Sequence, residues 1–436
     1  MKYDAIIIGS GIGGLLAGAY LSKIGKKVIV LERLNFIGGR FASIPYKGFQ
    51  IPTGALHMIP YGSEGPLGKM LKGLGIKCII HNSDVFASIH LNSNHFIAKK
   101  MFSMLFLFSF WEKIELGKLF IKGKRTKSLD DSISFYDWLQ KDIKSPKIIN
   151  LYEALANFAI GISIKDISYI EMRKILKNIV NFYKMGLPGV PEGGCGGIIN
   201  SLESFIKDND GSIKIKTEVV KIVVKKGKVT GVIACDRESS NNQAIEGSIV
   251  VSNCGPKNTL LLAGESAFNS NFIEKLKKTR EAKGLKVHFS SEKSLIPHKG
   301  IMFCLNTERN LGIIQPTNVD PKLAPKGKHL LIAFQVLKSN NVEKEIKIAL
   351  NHLKQVFGKD FKKYCEILCI SSFKDNWPVN WVSQGNDFYS KTSIDGLYMV
   401  GDGCKPSGYP MADGVAKSVE VFLNNLGYPD IFNKQS

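Results

Sequence analysis

Arginine is scarce in this chain. Of 59 basic residues only seven are arginine (Arg33, Arg40, Arg125, Arg173, Arg237, Arg280 and Arg309), and the formal net charge is still +21. Nucleic-acid readers lean on clustered arginine forks. Here lysines are spread along all 436 residues, with no RNP, finger or basic-arm pattern. Nucleic acid is therefore not expected as a partner. Two readings of the charge stay open: a lysine-biased proteome, visible too in the many Ile and Asn, or contact with an anionic membrane surface.

Other absences narrow the chemistry. Eight cysteines in a chain of this length make no disulfide framework, and no CxxC occurs. Cys365 and Cys369 could share a helix face, but no His or second pair completes a zinc site. HExxH and GxSxG are also missing, so neither a metal nor a nucleophile elbow is expected. A reducing cytoplasm is the simple inference. Asp4 interrupts the apolar N-terminus, which argues against a signal peptide. The most apolar run, Met101 to Trp111, has eleven residues; a bilayer-spanning helix needs about 20. Lysines flank it. It reads either as a buried helix or as a monotopic patch that admits a lipid.

Glycine is abundant and placed. "YDAIII" reads as a buried parallel strand. Gly9, Gly11 and Gly14 follow as GxGxxG, and a helix carries Leu15, Leu16, Ala19, Tyr20 and Ile24 to a stop at Gly25. "KKVIVLE" is a second strand ending in Glu32, 18 residues after Gly14. Gly9 permits the turn, Gly11 lets backbone approach a pyrophosphate, and Gly14 lets helix pack on strand. Ser10, Ile12 and Gly13 complete the loop at the helix N-terminus, whose N–H groups favour an anion. Glu32 suits an adenosine ribose and repels a 2′-phosphate; Arg33 adjoins it. Gly38, Gly39 and Arg40 then offer a second backbone approach to the same pyrophosphate and a cation to neutralise it.

With that GG-Arg segment the sequence resembles the FAD-dependent amine oxidase and phytoene desaturase superfamily. The far end carries a second match. "LYMVGDG" opens with a strand, Leu397 to Val400. Gly401, Asp402 and a Gly/Pro-rich loop follow, then a helix with Val415, Val419, Phe422, Leu423 and Leu426 on one face. The resemblance implies that Asp402 meets the ribityl-pyrophosphate region and that Met411 and Ala412 face the flavin pyrimidine edge. Mid-chain, "VPEGGCGG" precedes a helix and a hairpin turning at Lys226–Gly227. The resemblance gives Val219 a backbone contact to adenine, and Asn253 ends the returning strand. The wording around Gly193–Gly197 and Trp377–Pro378 is closest to the phytoene-desaturase-like branch, with its uncharacterised archaeal and bacterial members.

The resemblance implies an α/β fold with a discontinuous Rossmann-like FAD domain of the glutathione-reductase type, residues 1–75, 190–261 and 386–436. An inserted substrate domain of mixed sheet and helices takes residues 76–189 and 262–385. FAD is expected to be held non-covalently, because Cys404 does not match the position of covalent attachment in relatives. Leu56 and His57 fall where the family chain passes the flavin ring. His57 is the titratable candidate there, although a histidine filling space is an equal reading. Tyr409 could line the substrate mouth, and Trp377 and Trp381 a tunnel. The expected function is hydride exchange between flavin and a long apolar isoprenoid. A flavin amine oxidase is one alternative. A prenyl-binding protein of the GDP-dissociation-inhibitor type is another, disfavoured by the intact cradle. The expected location is cytoplasmic, with peripheral membrane contact left open.

Overall fold

The computed structural model describes residues 2–55, 58–92, 94–125, 132–183, 187–305 and 307–429. Its first sheet gathers strands that are distant in sequence. Lys2–Ile8 lies at the centre, parallel to Val28–Leu31 on one side and to the long strand Asn242–Ser252 on the other. Ser212–Lys214 extends the sheet beyond Val28–Leu31. Leu397–Met399 pairs in parallel with the end of the long strand. The start of that same strand is antiparallel to Lys228–Asp236. Continuous runs of Ile and Val form these strands because helices cover the sheet and bury the residues on both faces.

Helix Ile12–Lys23 joins the two central strands as a crossover. Ten of its twelve residues are apolar or glycine, and it is buried all round except at its last residue. It packs between the helices Gly194–Asp208 and Met411–Asn425. Leu15, Leu16, Tyr20, Ile198, Leu202, Val419 and Phe422 share the resulting core cluster. The hairpin turns at Lys226–Gly227 with both residues at positive φ, 50° and 75°, as a tight two-residue hairpin requires.

A second seven-stranded sheet is mixed. Cys365–Phe373, Gly284–Ser291, His329–Val336, Gly312–Ile314 and Met302–Cys304 run antiparallel in that order. Ala87–Leu91 joins Met302–Cys304 in parallel, and Asn94–Ala98 closes the edge. Helices Pro146–Ala159 and Tyr169–Tyr183 form a separate cluster beside it with the segment around Trp138. The architecture is α/β, with a nucleotide-type sheet and a mixed sheet, as expected.

Two local readings change. Cys365 and Cys369 lie on a strand, not a helix. Residues 101–111 are not one buried helix. Met101–Leu107 is a 3₁₀ segment, Phe108 is extended (φ −105°, ψ 142°), and a new helix starts at Phe110. Met104 and Phe108 point inward, whereas Phe102, Phe106, Phe110 and Trp111 are exposed. Among the described residues no helix is long and apolar enough to cross a membrane.

Candidate active site

The glycine loop behaves as its spacing predicts. Gly9 has φ +91°, so the chain can turn sharply out of the first strand. A Cβ on Gly14 would fall 2.1 Å from the Gly9 carbonyl oxygen, so helix and turn touch only because none is there. Gly11 begins the helix without a side-chain cap. Its first N–H groups are thus left for a ligand. Glu32 is buried at the end of the second strand. Its carboxylate accepts from the Ser10 amide at 2.8 Å, the Ser10 hydroxyl at 2.7 Å and the Leu34 amide at 2.9 Å. Gly38 donates its amide to the Ser10 carbonyl at 3.0 Å. The second glycine pair is therefore stitched onto the first loop.

The far motif closes over this loop. Gly401 and Asn253 meet Gly11 and Gly13 in one notch. A Cβ on Gly11 would lie 2.6 Å from Asn253 Nδ2; on Gly13 and Gly401 it would lie 2.7 and 2.4 Å from Oδ1. Three glycines from two ends of the chain make room for one amide side chain. Asp402 pairs with Arg40, Nη2 to Oδ2 at 2.8 Å, and also accepts from the Trp381 amide at 3.0 Å. Arg40 donates Nη1 to the carbonyls of Pro378 (2.8 Å) and Val379 (3.1 Å) and lies 5.2 Å from the Trp381 ring centre. Its charge is thus matched by Asp402. A bound pyrophosphate would then be held mainly by the helix N-terminus and the glycine backbones.

Met411 has φ 53°, an uncommon region for a bulky residue, at the first position of helix Met411–Asn425. Buried ionisable side chains hold it and the preceding loop. Asp413 accepts from the amides of Tyr61 (2.8 Å) and Leu67 (3.0 Å). Lys405, fully buried, pairs with Asp387 at 2.7 Å. Glu171 accepts from Gln384 Nε2 and the Gly408 amide, both at 2.7 Å. Sequence reading missed all of these. These contacts hold the loop 401–410 and the helix start through protein groups alone.

A cavity of about 360 Å³ runs along these elements. Gly9, Gly11, Ile12 and Gly13 line it from the first loop, with Glu32 and Arg33 beside them. Gly38, Gly39 and Arg40 add the second glycine pair. Val219, Asn253, Gly401, Asp402, Met411 and Ala412 complete the far wall. Trp377 and Trp381 line it too. Gly14 and Ser10 stand behind the wall as supports. Tyr409 is not a lining residue; its ring packs edge-on against Tyr61, centroids 6.1 Å apart. Leu56 and His57 lie outside the described residues.

Lys286, one residue layer behind the wall, was also overlooked by sequence reading. It lies on Gly284–Ser291, every residue of which is buried. Its Nζ donates to the Pro52 carbonyl at 2.8 Å and to the Gly54 carbonyl. The next residue, Ala55, lines the cavity. Burial pushes this ammonium down to about 7, so it can exchange a proton near neutral pH. The available signal was a single lysine within the strand "GLKVHF".

Residues 12–418 match the family model described as flavin containing amine oxidoreductase. The chain belongs to that family. An uncharacterised protein of Methanocaldococcus jannaschii is 36% identical over 96% of this chain and 98% of its own length. An oxidoreductase from Methanosarcina mazei has a crystal structure that superposes with a TM-score of 0.88. It is 32% identical, covering 97% of this chain and all of that one. A chloroplastic prolycopene isomerase of Daucus carota is 26% identical over 93% of this chain and 77% of its own.

The protein is an FAD-dependent oxidoreductase, and the cradle fits that cofactor. Bare glycine backbone stands where a pyrophosphate needs close approach. A buried carboxylate stands at the ribose position, and a strained helix start stands opposite. When bound, FAD supplies a two-electron acceptor for a C–H bond or a donor for a double bond. The chain contributes the position of the cofactor through these backbone and side-chain groups. Among the described residues no group of three or more His, Cys, Asp or Glu could hold a metal ion.

Proposed function

We propose that this FAD-dependent oxidoreductase acts on a long apolar isoprenoid of carotenoid type, desaturating, saturating or isomerising it through hydride exchange with non-covalently held FAD. One observation carries the reading: the likeness to prolycopene isomerase runs over 93% of this chain. It therefore includes much of the stretches 76–189 and 262–385 assigned to substrate, not the nucleotide cradle alone. The cavity agrees in chemistry. Ala55, Met58, Leu261, Leu262, Trp377 and Val379 present apolar surface to it. A primary amine would want a carboxylate or an aromatic cage for recognition. The carboxylates on the wall are instead taken up, Glu32 by the loop, Asp402 by Arg40 and Glu218 by Arg237 at 3.7 Å.

Lys286 favours a second reading, amine oxidation, since an amine-oxidising site uses a lysine-held water. Anaerobic titration separates the two. Flavin absorbance should bleach with a cis-polyene isoprenoid, reduced protein should reoxidise with it, or the polyene should change double-bond geometry with no net change of the flavin, while primary amines and polyamines leave the spectrum unchanged. Bleaching by an amine alone would overturn the isoprenoid assignment.

A further inference from the structure

Residues 101–121 face two environments at once. On the inner side Met104, Phe108 and Leu119 are buried. On the outer side Phe102, Phe106, Phe110, Trp111, Phe120 and Ile121 are between 53% and 79% exposed. The Phe110 and Trp111 rings meet edge to face, 5.5 Å between centroids, so the outer side chains begin to form a patch of their own. A segment that is apolar on both sides is stable when something covers the outer one.

The charges around the patch indicate what covers it. Residues 99–123 contain five lysines and two glutamates. Lys99, Lys100, Lys113 and Lys118 are exposed. Both glutamates are engaged on the inner side. Glu112 binds Lys147 at 3.0 Å and the Ser145 hydroxyl at 2.6 Å. Glu115 accepts from the amides of Lys144 and Ser145. What faces outward is aromatic and positive, within a chain of net charge +21. Aromatic side chains that enter the headgroup boundary, with lysines that meet anionic headgroups, are the signature of an interfacial anchor.

We propose that residues 101–121 dock this protein on the surface of an anionic bilayer. The segment lies on the membrane rather than crossing it. The proposal has a functional corollary that rests on the isoprenoid reading. Met104, on the inner side of the segment, belongs to the same apolar cluster as Met58, Phe158 and Phe303, and Met58 lines the flavin cavity. An apolar substrate taken from the bilayer would stay among apolar side chains on its way to the site.

Vesicle flotation of the flavin-loaded protein tests this. The wild type should float with phosphatidylglycerol vesicles and stay below with phosphatidylcholine vesicles. Phe102→Ser/Phe106→Ser/Trp111→Ser should lose roughly tenfold or more in vesicle affinity, because each ring contributes burial of a large apolar side chain. Lys99→Glu/Lys100→Glu/Lys113→Glu/Lys118→Glu should lose binding to anionic vesicles to a similar degree. These positions are exposed, so both variants should keep their flavin content and melting temperature. A flavin-loaded wild type that ignores phosphatidylglycerol vesicles overturns the proposal. So does a serine variant that floats as well as wild type. A dimer in light scattering that the serine variant splits would assign the patch to a second copy instead. Flotation needs no substrate. A protein that floats but neither exchanges electrons with polyenes nor changes their double-bond geometry would overturn the isoprenoid reading and leave the docking surface standing.

Discussion

Arg40 and Asp402, from opposite ends of the chain, form an ion pair at 2.8 Å on the wall of the flavin cavity. The pair ties the segment after the second strand to the loop before the last helix, so the two halves of the cradle are fixed to each other. Arg40→Ala leaves Asp402 facing the cavity without its partner and frees two carbonyls. Loss of about 1–3 kcal/mol of stability is expected from a mostly buried charge left unpaired. Arg40→Lys should recover little, because one ammonium cannot meet Asp402, Pro378 and Val379 in the planar geometry of a guanidinium. Thermal melts and the ratio of flavin to protein absorbance measure both effects.

Glu32 makes a different kind of prediction, since all three of its protein partners are donors. Glu32→Gln places an amide NH₂ against at least one of them. The expected cost is about 1–3 kcal/mol for a buried donor left unsatisfied, with the Ser10 loop loosened. Glu32→Arg goes further and puts a cation at the ribose position. Its flavin content should fall sharply in preparations of the folded protein. Full flavin content in Glu32→Arg would mean that the adenosine lies elsewhere.

The notch around Asn253 can be tested by rescue. Gly11 has ordinary negative φ (−60°), so Gly11→Ala is opposed by space rather than by backbone strain. The added Cβ would meet Asn253 Nδ2. Destabilisation of about 1–3 kcal/mol is expected from this overpacking. Asn253→Ala removes the obstacle, so the double variant should regain part of the stability lost by Gly11→Ala. Flavin affinity should not return with it, because Gly11 and Asn253 both line the cavity and both are then changed. Differential scanning of the flavin-free protein and flavin titration separate the two roles.

The legible parts of this molecule were those in which sequence neighbours are also neighbours in space. Gly9, Gly14 and Glu32 belong to one strand–helix–strand unit, so their spacing carries their geometry. Gly401, Asp402 and Met411 form a similar local unit. Asn253 was readable as a strand end, but its notch was not, because that depends on three segments meeting. Lys286, Asp413 and the Lys405–Asp387 pair were illegible for a related reason. A charged residue looks the same in sequence whether it is solvated or enclosed, and only tertiary contacts enclose it. Residues 101–111 were legible only as two alternatives. Their apolarity left a buried helix and an interfacial patch both readable, and the extended turn at Phe108, which splits the run and sends four of its aromatic rings outward, removes the first.

Lys286 yields the last prediction, in which the sign can be worked out. An unfolded lysine titrates near 10.4; in the fold burial lowers this one to about 7. Between those values the unfolded chain holds a proton that the folded chain lacks. Stability therefore rises with pH across that window, by up to about 1.4 kcal/mol per unit from this group. It levels off above the unfolded value, and below about 7 the folded lysine is itself charged and carries its full burial penalty. Lys286→Met cannot titrate, although it leaves the carbonyls of Pro52 and Gly54 without their donor. The difference in melting temperature between wild type and Lys286→Met should thus move in favour of wild type from pH 7 to pH 10. A constant difference over that range would mean that the amine stays charged in the fold. In turnover, the same variant should flatten the pH profile of the reductive step near neutrality if Lys286 handles a proton there. An unchanged profile with a lowered rate would leave it as a positioning residue for the chain that runs from Pro52 to Ala55.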